Sequence, residues 1–141
     1  MLIGAMKNNP PTLKTKFPPL LSLTYVLQQS SDELLGREAG ISLSHARIMS
    51  GLSPVVPRSQ RILSTELRQT EANISRQLQV MKKHGLVSIV RNKKDARQRD
   101  VKLTAKGERK YQAAEKILKK ELNNLIKLLD NDAQLLAAKF K

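Results

Sequence analysis

The stretch from Leu86 to Thr104 constrains the fold of this chain more than any other. Leu86-Val87-Ser88-Ile89-Val90 and Val101-Lys102-Leu103-Thr104 are short β-prone runs. Between them lies a tip dominated by basic side chains, Arg91-Asn92-Lys93-Lys94-Asp95-Ala96-Arg97-Gln98-Arg99-Asp100. The pattern predicts a β-hairpin with a charged end. A helical pattern closing on Lys82-Lys83-His84-Gly85 precedes it, so a helix feeds directly into the ribbon.

The rest of the chain reads as helices. Residues 1–17 mix Asn9-Pro10-Pro11 with Lys7, Lys14 and Lys16 and read as a flexible or extended arm. Pro18 and Pro19 suit a first helical turn, where the missing N–H would be unpaired anyway. Leu20, Leu23, Leu27 and Leu34 then predict a helix from about Pro19 to Leu35, punctuated by Gly36 and Gly40. Ser42 caps a second helix with Ala46, Met49 and Leu52, which Ser53-Pro54-Val55-Val56-Pro57 breaks. A third helix runs from about Ser59 to Leu67, with Ile62, Leu63 and Leu67 inward. After a turn at Arg68-Gln69, Thr70 caps a fourth that buries Ile74, Leu78 and Met81. Two short helices joined by a tight turn are a helix-turn-helix. Beyond the hairpin, Thr104 caps a long helix striped by Tyr111, Ala114, Leu118, Leu122, Leu125 and Leu129. Asp130-Asn131-Asp132 is expected to interrupt it before a short terminal helix with Leu135, Leu136 and Phe140. The expected class is mainly α with one small antiparallel sheet.

Composition narrows the partner. The 141 residues suffice for one domain with a real core. Net charge is +14, from 26 Lys and Arg against 12 Asp and Glu. Residues 58–110 hold 15 of those bases and 5 of the acids, so the positive charge is concentrated around the hairpin. Such a surface favours a polyanion, nucleic acid or membrane. The four aromatics, Phe17, Tyr25, Tyr111 and Phe140, all lie outside the basic segment. That disfavours a base-stacking platform for single strands and favours a duplex. The chain has no cysteine, which excludes disulfides, thiolate metal sites and cysteine nucleophiles. No apolar run approaches the roughly 20 residues of a membrane span, and a cytoplasmic location is the default expectation.

Two segments carry candidate recognition chemistry. With Thr70 as cap, the fourth helix presents Glu71, Ala72, Asn73, Ser75, Arg76 and Gln77 away from Ile74 and Leu78. Arg can bond guanine bidentately, Asn or Gln adenine, and an alanine methyl can meet thymine. A solvated helix face is the bland alternative, and the basic hairpin that follows weighs against it. In the tip, Asp95 stands two residues before Arg97, where a carboxylate can hold a guanidinium in one rotamer by a bidentate pair. An Arg so oriented suits a narrow minor groove, with Arg91, Lys93, Lys94 and Arg99 beside phosphates. The alternative is a charged tip that only guards a sheet edge.

In this order of parts the chain, from roughly Leu20 to Leu129, resembles the MarR family of winged helix-turn-helix transcription regulators. The resemblance rests on Ile41-Ser42, on Leu67, Thr70 and Ile74, and on Leu78, Met81, Gly85, Leu86 and Val87. It rests also on the wing signature Asp95-x-Arg97 and on Leu103-Thr104-x-x-Gly107. It implies a homodimer on a roughly palindromic duplex, commonly a ligand-relieved repressor. A small-molecule site would lie between dimerisation and DNA-binding parts. The helix spanning 70–84 would enter the major groove and the wing 88–102 the minor groove. The layout would be a dimerisation helix at 18–40, a DNA-binding domain at 41–104 and C-terminal dimerisation helices at 105–141. Leu20, Leu23, Leu27, Leu118, Leu122, Leu125 and Leu129 would supply the dimer contacts. The chain departs from the pattern where Arg68 replaces a common Gly, and where Gln98 and Asp100 replace a common Asp and Arg.

Other functions have thinner support. His45 and His84 are 39 positions apart and give no metal-ligand spacing, so no metal or cofactor is expected. His84 suits a helix C-terminus, and His45 a surface or pocket position. Asp32 and Glu33 read as a solvated acidic patch, and no glycine-rich phosphate loop or nucleophile–base set is evident, so an enzyme is not expected. The rival readings are a winged helix that binds structured RNA and a protein-interaction adaptor.

Overall fold

The computed structural model describes residues 18–139, with the side chains of Pro19, Leu20, residues 128–137 and Lys139 outside the description. Expectations for the arm 1–17 and for the side chains of Leu20, Leu129, Leu135, Leu136 and Phe140 therefore lie outside the described residues. The chain folds as α1 (Pro19–Glu38), α2 (Leu43–Ser50), β1 (Arg58–Ser59), α3 (Gln60–Glu66), α4 (Glu71–Lys83), β2 (Val87–Arg91), β3 (Arg99–Leu103) and α5 (Ala105–Lys139).

Helices α2 to α5 begin at hydroxyl caps, whereas α1 starts behind Pro18 with proline in its first turn. Ser42, Ser59 and Thr70 accept the backbone N–H three residues on, at 3.0, 3.1 and 3.2 Å. Each cap satisfies a donor that the helix leaves orphaned, for about 1 kcal/mol. Thr104 caps α5 in the same way, accepting from Gly107 at 3.0 Å. Gly85 closes α4 at φ 72°, a left-handed conformation that glycine adopts without strain.

One core joins these elements. Leu35 of α1, Ile48 and Met49 of α2, Leu63 of α3, and Ile74, Leu78 and Met81 of α4 are fully buried, with Val101 of β3. Leu86, Val87, Leu103 and Ala114 complete the cluster. The fourth-helix stripe is buried as its spacing predicts. Removing any of these large side chains would cost about 2–5 kcal/mol.

The hairpin forms with a shifted frame. The expected runs 86–90 and 101–104 become Val87–Arg91 and Arg99–Leu103, paired Val87 to Leu103, Ile89 to Val101 and Arg91 to Arg99. The strands extend toward the tip because Asn92 and Gln98 continue the backbone bonding beyond Arg91 and Arg99, at 3.0 Å. A third strand, β1, pairs Arg58 with Val101 and Ser59 with Asp100, so the sheet order is β1-β3-β2. Two residues are too few for a sequence pattern to reveal.

Three further expectations are corrected. Ile62 was expected inward with Leu63 and Leu67 but is 48% exposed. A helix of seven residues turns only a narrow face to the core, and Leu63 with Ser64 takes it. The first helix runs to Glu38 rather than ending near Leu35, because Ala39 closes it by donating its N–H to the Leu35 carbonyl at 2.8 Å. The C-terminal helix is unbroken for 35 residues, so there is one C-terminal helix and not two. Asp and Asn cost at most about 0.7 kcal/mol each in a helix, and without Gly or Pro three of them do not stop a long one.

The start of α5 is locked onto the end of α4. A Cβ added at Gly107 would lie 2.0 Å from the Leu86 carbonyl oxygen, so only glycine allows this approach. Thr104 donates its hydroxyl to the Gly85 carbonyl at 2.5 Å, and Lys106 donates to that of His84 at 2.8 Å.

Candidate nucleic-acid interface

The α3–α4 turn rests on an unusual residue. Arg68 has φ 53°, the left-handed region that an L side chain occupies at a cost of about 1–2 kcal/mol. The conformation lets Gln69 donate its N–H to the Ser64 carbonyl at 3.0 Å and swings the chain into the Thr70 cap. The Arg68 side chain is exposed beside the N-terminus of α4.

On α4 the residues singled out from sequence separate into two groups. Thr70, Glu71, Ala72 and Arg76 are exposed. Ser75, Asn73 and Gln77 are half-buried. Glu71 lies 3.9 Å from Arg61, a loose surface pair. Gln77 does not face outward as expected. Its amide nitrogen donates to Gln69 Oε1 at 3.0 Å, and its oxygen accepts the hydroxyl of Ser44 on α2. Asn73 also donates to Gln69 Oε1, at 2.8 Å. Spacing of four puts Asn73 and Gln77 on one side of α4, a signal present in the sequence, and Gln69 meets them from the turn before the cap. Gln79 and Lys83 are exposed and extend the stripe of Ala72 and Arg76 by steps of three and four. The same periodicity would have found them.

The wing tip is built by polar side chains bonded to backbone. Asn92 Oδ1 accepts the N–H of Lys94 at 2.7 Å and of Asp95 at 3.0 Å. Asp95 Oδ1 accepts the N–H of Arg97 at 3.0 Å. The expected Asp95–Arg97 ion pair is thus replaced by an Asx turn, since the carboxylate reaches the backbone two residues on more readily than a long side chain directed outward. Asp100 receives the amides of Asn92 at 2.8 Å and Gln98 at 3.2 Å, and so braces the strand ends. Arg91, Lys93, Lys94, Asp95 and Arg97 are exposed. Arg99 is half-buried, with Nη1 enclosed and without a hydrogen-bond partner among the described residues. It stands opposite Arg91, and like charges so placed repel unless an anion joins them.

A cleft of about 440 Å³ lies where α1, α2, the end of α4 and the start of α5 meet. Its lining includes Asp32, His45, His84, Lys106 and Lys110. The fold therefore unites two histidines that sequence distance keeps apart. Burial, then the neighbouring His84, holds the His45 pKa below its ordinary 6.5, against an opposing pull from Asp32. Asp32 Oδ1 accepts the N–H of Leu43 at 2.7 Å, and Lys110 donates to the Ala39 carbonyl at 2.9 Å. Among the described residues no group of three or more His, Cys, Asp or Glu could hold a metal ion.

Helices α1 and α5 carry uncovered apolar surface. Leu21, Leu23 and Tyr25 on α1 and Leu122 and Ile126 on α5 are 37–60% exposed. Leu27 and Leu125 are half-buried. Leu118 packs partly against the chain's own core, with Tyr111 and Ile117. No described helix is long and apolar enough to cross a membrane.

No family profile and no curated protein sequence matches the chain. Solved structures do. MepR of S. aureus, in complex with DNA, superposes with a TM-score of 0.71 at 18% identity, over 84% of this chain and 88% of that one. The transcriptional regulator BldR of Sulfolobus solfataricus gives 0.70 at 22%, over 84% and 89%. A mutant of MarR from E. coli gives 0.64 at 20%, over 86% and 93%. The helix-turn-helix, the three-stranded sheet and the long flanking helices thus have their counterpart in these regulators, and the chain has the MarR-like winged-helix fold.

Proposed function

We propose that the chain is a homodimeric transcription regulator, acting as a repressor, that reads double-stranded DNA. Helix α4 enters the major groove through Ala72, Asn73, Arg76 and Gln79, with Thr70, Glu71 and Ser75 at its approach. The wing lies in the adjacent minor groove, led by Arg97, with Arg91, Lys93, Lys94 and Arg99 along the phosphates. The observation that carries this reading is exposure and charge: α4 leaves Ala72, Arg76, Gln79 and Lys83 exposed, and the hairpin that follows it in the chain carries four exposed basic side chains at its tip. The like charges of Arg91 and Arg99, placed opposite one another, also favour an anion at the wing. That MepR was solved with DNA supports the same partner.

The uncovered apolar faces of α1 and α5 are the proposed dimer contact, which would set two half-sites about one helical turn, roughly 34–36 Å, apart. The cleft is the proposed effector site. Two lysines against one carboxylate, with two imidazoles able to donate hydrogen bonds, favour an anionic small molecule.

Gel-shift competition among duplex DNA, single strands and structured RNA tests the partner. Duplex should compete best, with affinity falling steeply as salt rises. Structured RNA outcompeting every duplex would replace this reading with the RNA-binding one.

A further inference from the structure

Three amide side chains cluster at the head of α4. Gln69 Oε1 accepts two N–H groups, from Asn73 at 2.8 Å and from Gln77 at 3.0 Å. Both acceptor positions of that oxygen are then filled. Gln77 is itself fixed at its other end by the Ser44 hydroxyl, so the cluster is anchored on α2. The Gln69 amide nitrogen has no hydrogen-bond partner among the described residues. Asn73 gives up one N–H to the cluster and keeps its Oδ1 and a second N–H. An acceptor beside a donor is the pair that matches the N6–H and N7 edge of adenine.

We infer that Gln69, held by Gln77 and through it by Ser44, positions the Asn73 amide and so sets one base preference of α4 without touching DNA. This rests on the reading of α4 as the duplex-reading helix. A free asparagine side chain would have to be ordered on binding each base. Here most of that ordering is already done in the unbound protein, which sharpens the choice between adenine and its competitors. Gln77 serves as a tie between α2 and α4 and not as a reader.

The test is selection of bound duplexes from a randomised pool with the full chain, comparing wild type with Asn73→Ala, Gln69→Ala and Gln69→Glu. Asn73→Ala should erase the preference for adenine at one position in each half-site. Gln69→Ala should lower discrimination at that same position roughly 2- to 10-fold and leave the other positions unchanged. Gln69→Glu replaces only the unused amide nitrogen and keeps an acceptor for both N–H groups. It should retain the preference while weakening all sequences alike through its charge. Retention by Glu with loss by Ala also excludes a folding defect as the cause. A Gln69→Ala selection identical to wild type would overturn the inference, as would a Gln69→Glu selection that loses the position like Ala. A pool from which Asn73→Ala selects the same sequences as wild type would overturn it too. If wild type enriches no duplex at all, the reading of α4 fails first and the inference falls with it.

Discussion

Asp95 Oδ1 accepts the backbone N–H of Arg97 at 3.0 Å, and this bond shapes the wing while the Arg97 side chain stays exposed. The carboxylate acts here as an acceptor more than as a charge. Asp95→Ala should therefore weaken duplex binding by roughly 2- to 10-fold, the worth of one hydrogen bond. Asp95→Asn keeps the acceptor and removes a negative charge, so it should bind as well as wild type or better. Fluorescence anisotropy at fixed salt would separate the two. If both strengthen binding alike, the tip works through bulk charge.

Arg68 sits at φ 53° where glycine would be unstrained. Arg68→Gly should stabilise the fold by at most about 1 kcal/mol, part of the relieved strain being offset by the greater freedom of an unfolded glycine. The same change should weaken DNA binding and reduce its salt slope by about 0.9 if the guanidinium neutralises one phosphate. Thermal melts and salt titrations read the two effects separately. An unchanged slope would leave Arg68 as a turn residue only.

Gly107 and Gly36 should respond oppositely to alanine. At Gly107 the new Cβ would meet the Leu86 carbonyl oxygen at 2.0 Å, and the atom it strikes is backbone. The loss should reach about 3 kcal/mol or more. At Gly36, inside α1, nothing lies within 4 Å of the new Cβ, and the change should stabilise by about 1 kcal/mol. Urea denaturation of both variants checks the pair.

His45 contributes a pH dependence whose sign follows from its lowered pKa. In the folded chain it gives up its proton more readily than in the unfolded chain, where the value is near 6.5. The unfolded state then binds more protons across the interval, and stability rises with pH. The contribution is complete above about pH 6.5 and is lost as pH falls through the lowered folded value. His45→Gln should flatten the melting-temperature profile between about pH 5 and about pH 7 relative to wild type. Superimposable profiles would contradict the burial argument.

Leu122 and Ile126 are 54% and 44% exposed on α5. Replacing both with Lys should convert a sedimenting dimer to a monomer and leave the melting of the DNA-binding part little changed. A wild-type monomer would overturn the homodimer, and a double variant that still dimerises would move the interface elsewhere.

Helices and caps were legible because their signals are local: a hydroxyl before an apolar repeat with spacings of three and four. Ile74, Leu78 and Met81 carry that signal and are buried. Ile62 carries it too and is exposed, because inward placement in a one-to-two-turn helix depends on what packs over it. At the candidate interface the exposed residues of the tip were readable as charge, but their support was not. Asp95 satisfies a backbone group and Asp100 ties two amides, bonds that depend on hairpin register. Gln77 looked like a reader because the sequence does not show Ser44 arriving from α2. His45 and His84 share a cleft only once α2 and the end of α4 are brought together.

Helix α5 runs unbroken through 35 residues, a rod of about 50 Å at 1.5 Å per residue. Its first turn is seated on backbone at Leu86, with no slack at the wing. Such a rod behaves as one arm of a caliper. Tilting its far end by about 10° would sweep the near end through roughly 9 Å, more than two base-pair steps of about 3.4 Å. In the proposed dimer, a small change in the tilt of such rods would therefore alter the spacing of the two recognition helices by whole base-pair steps.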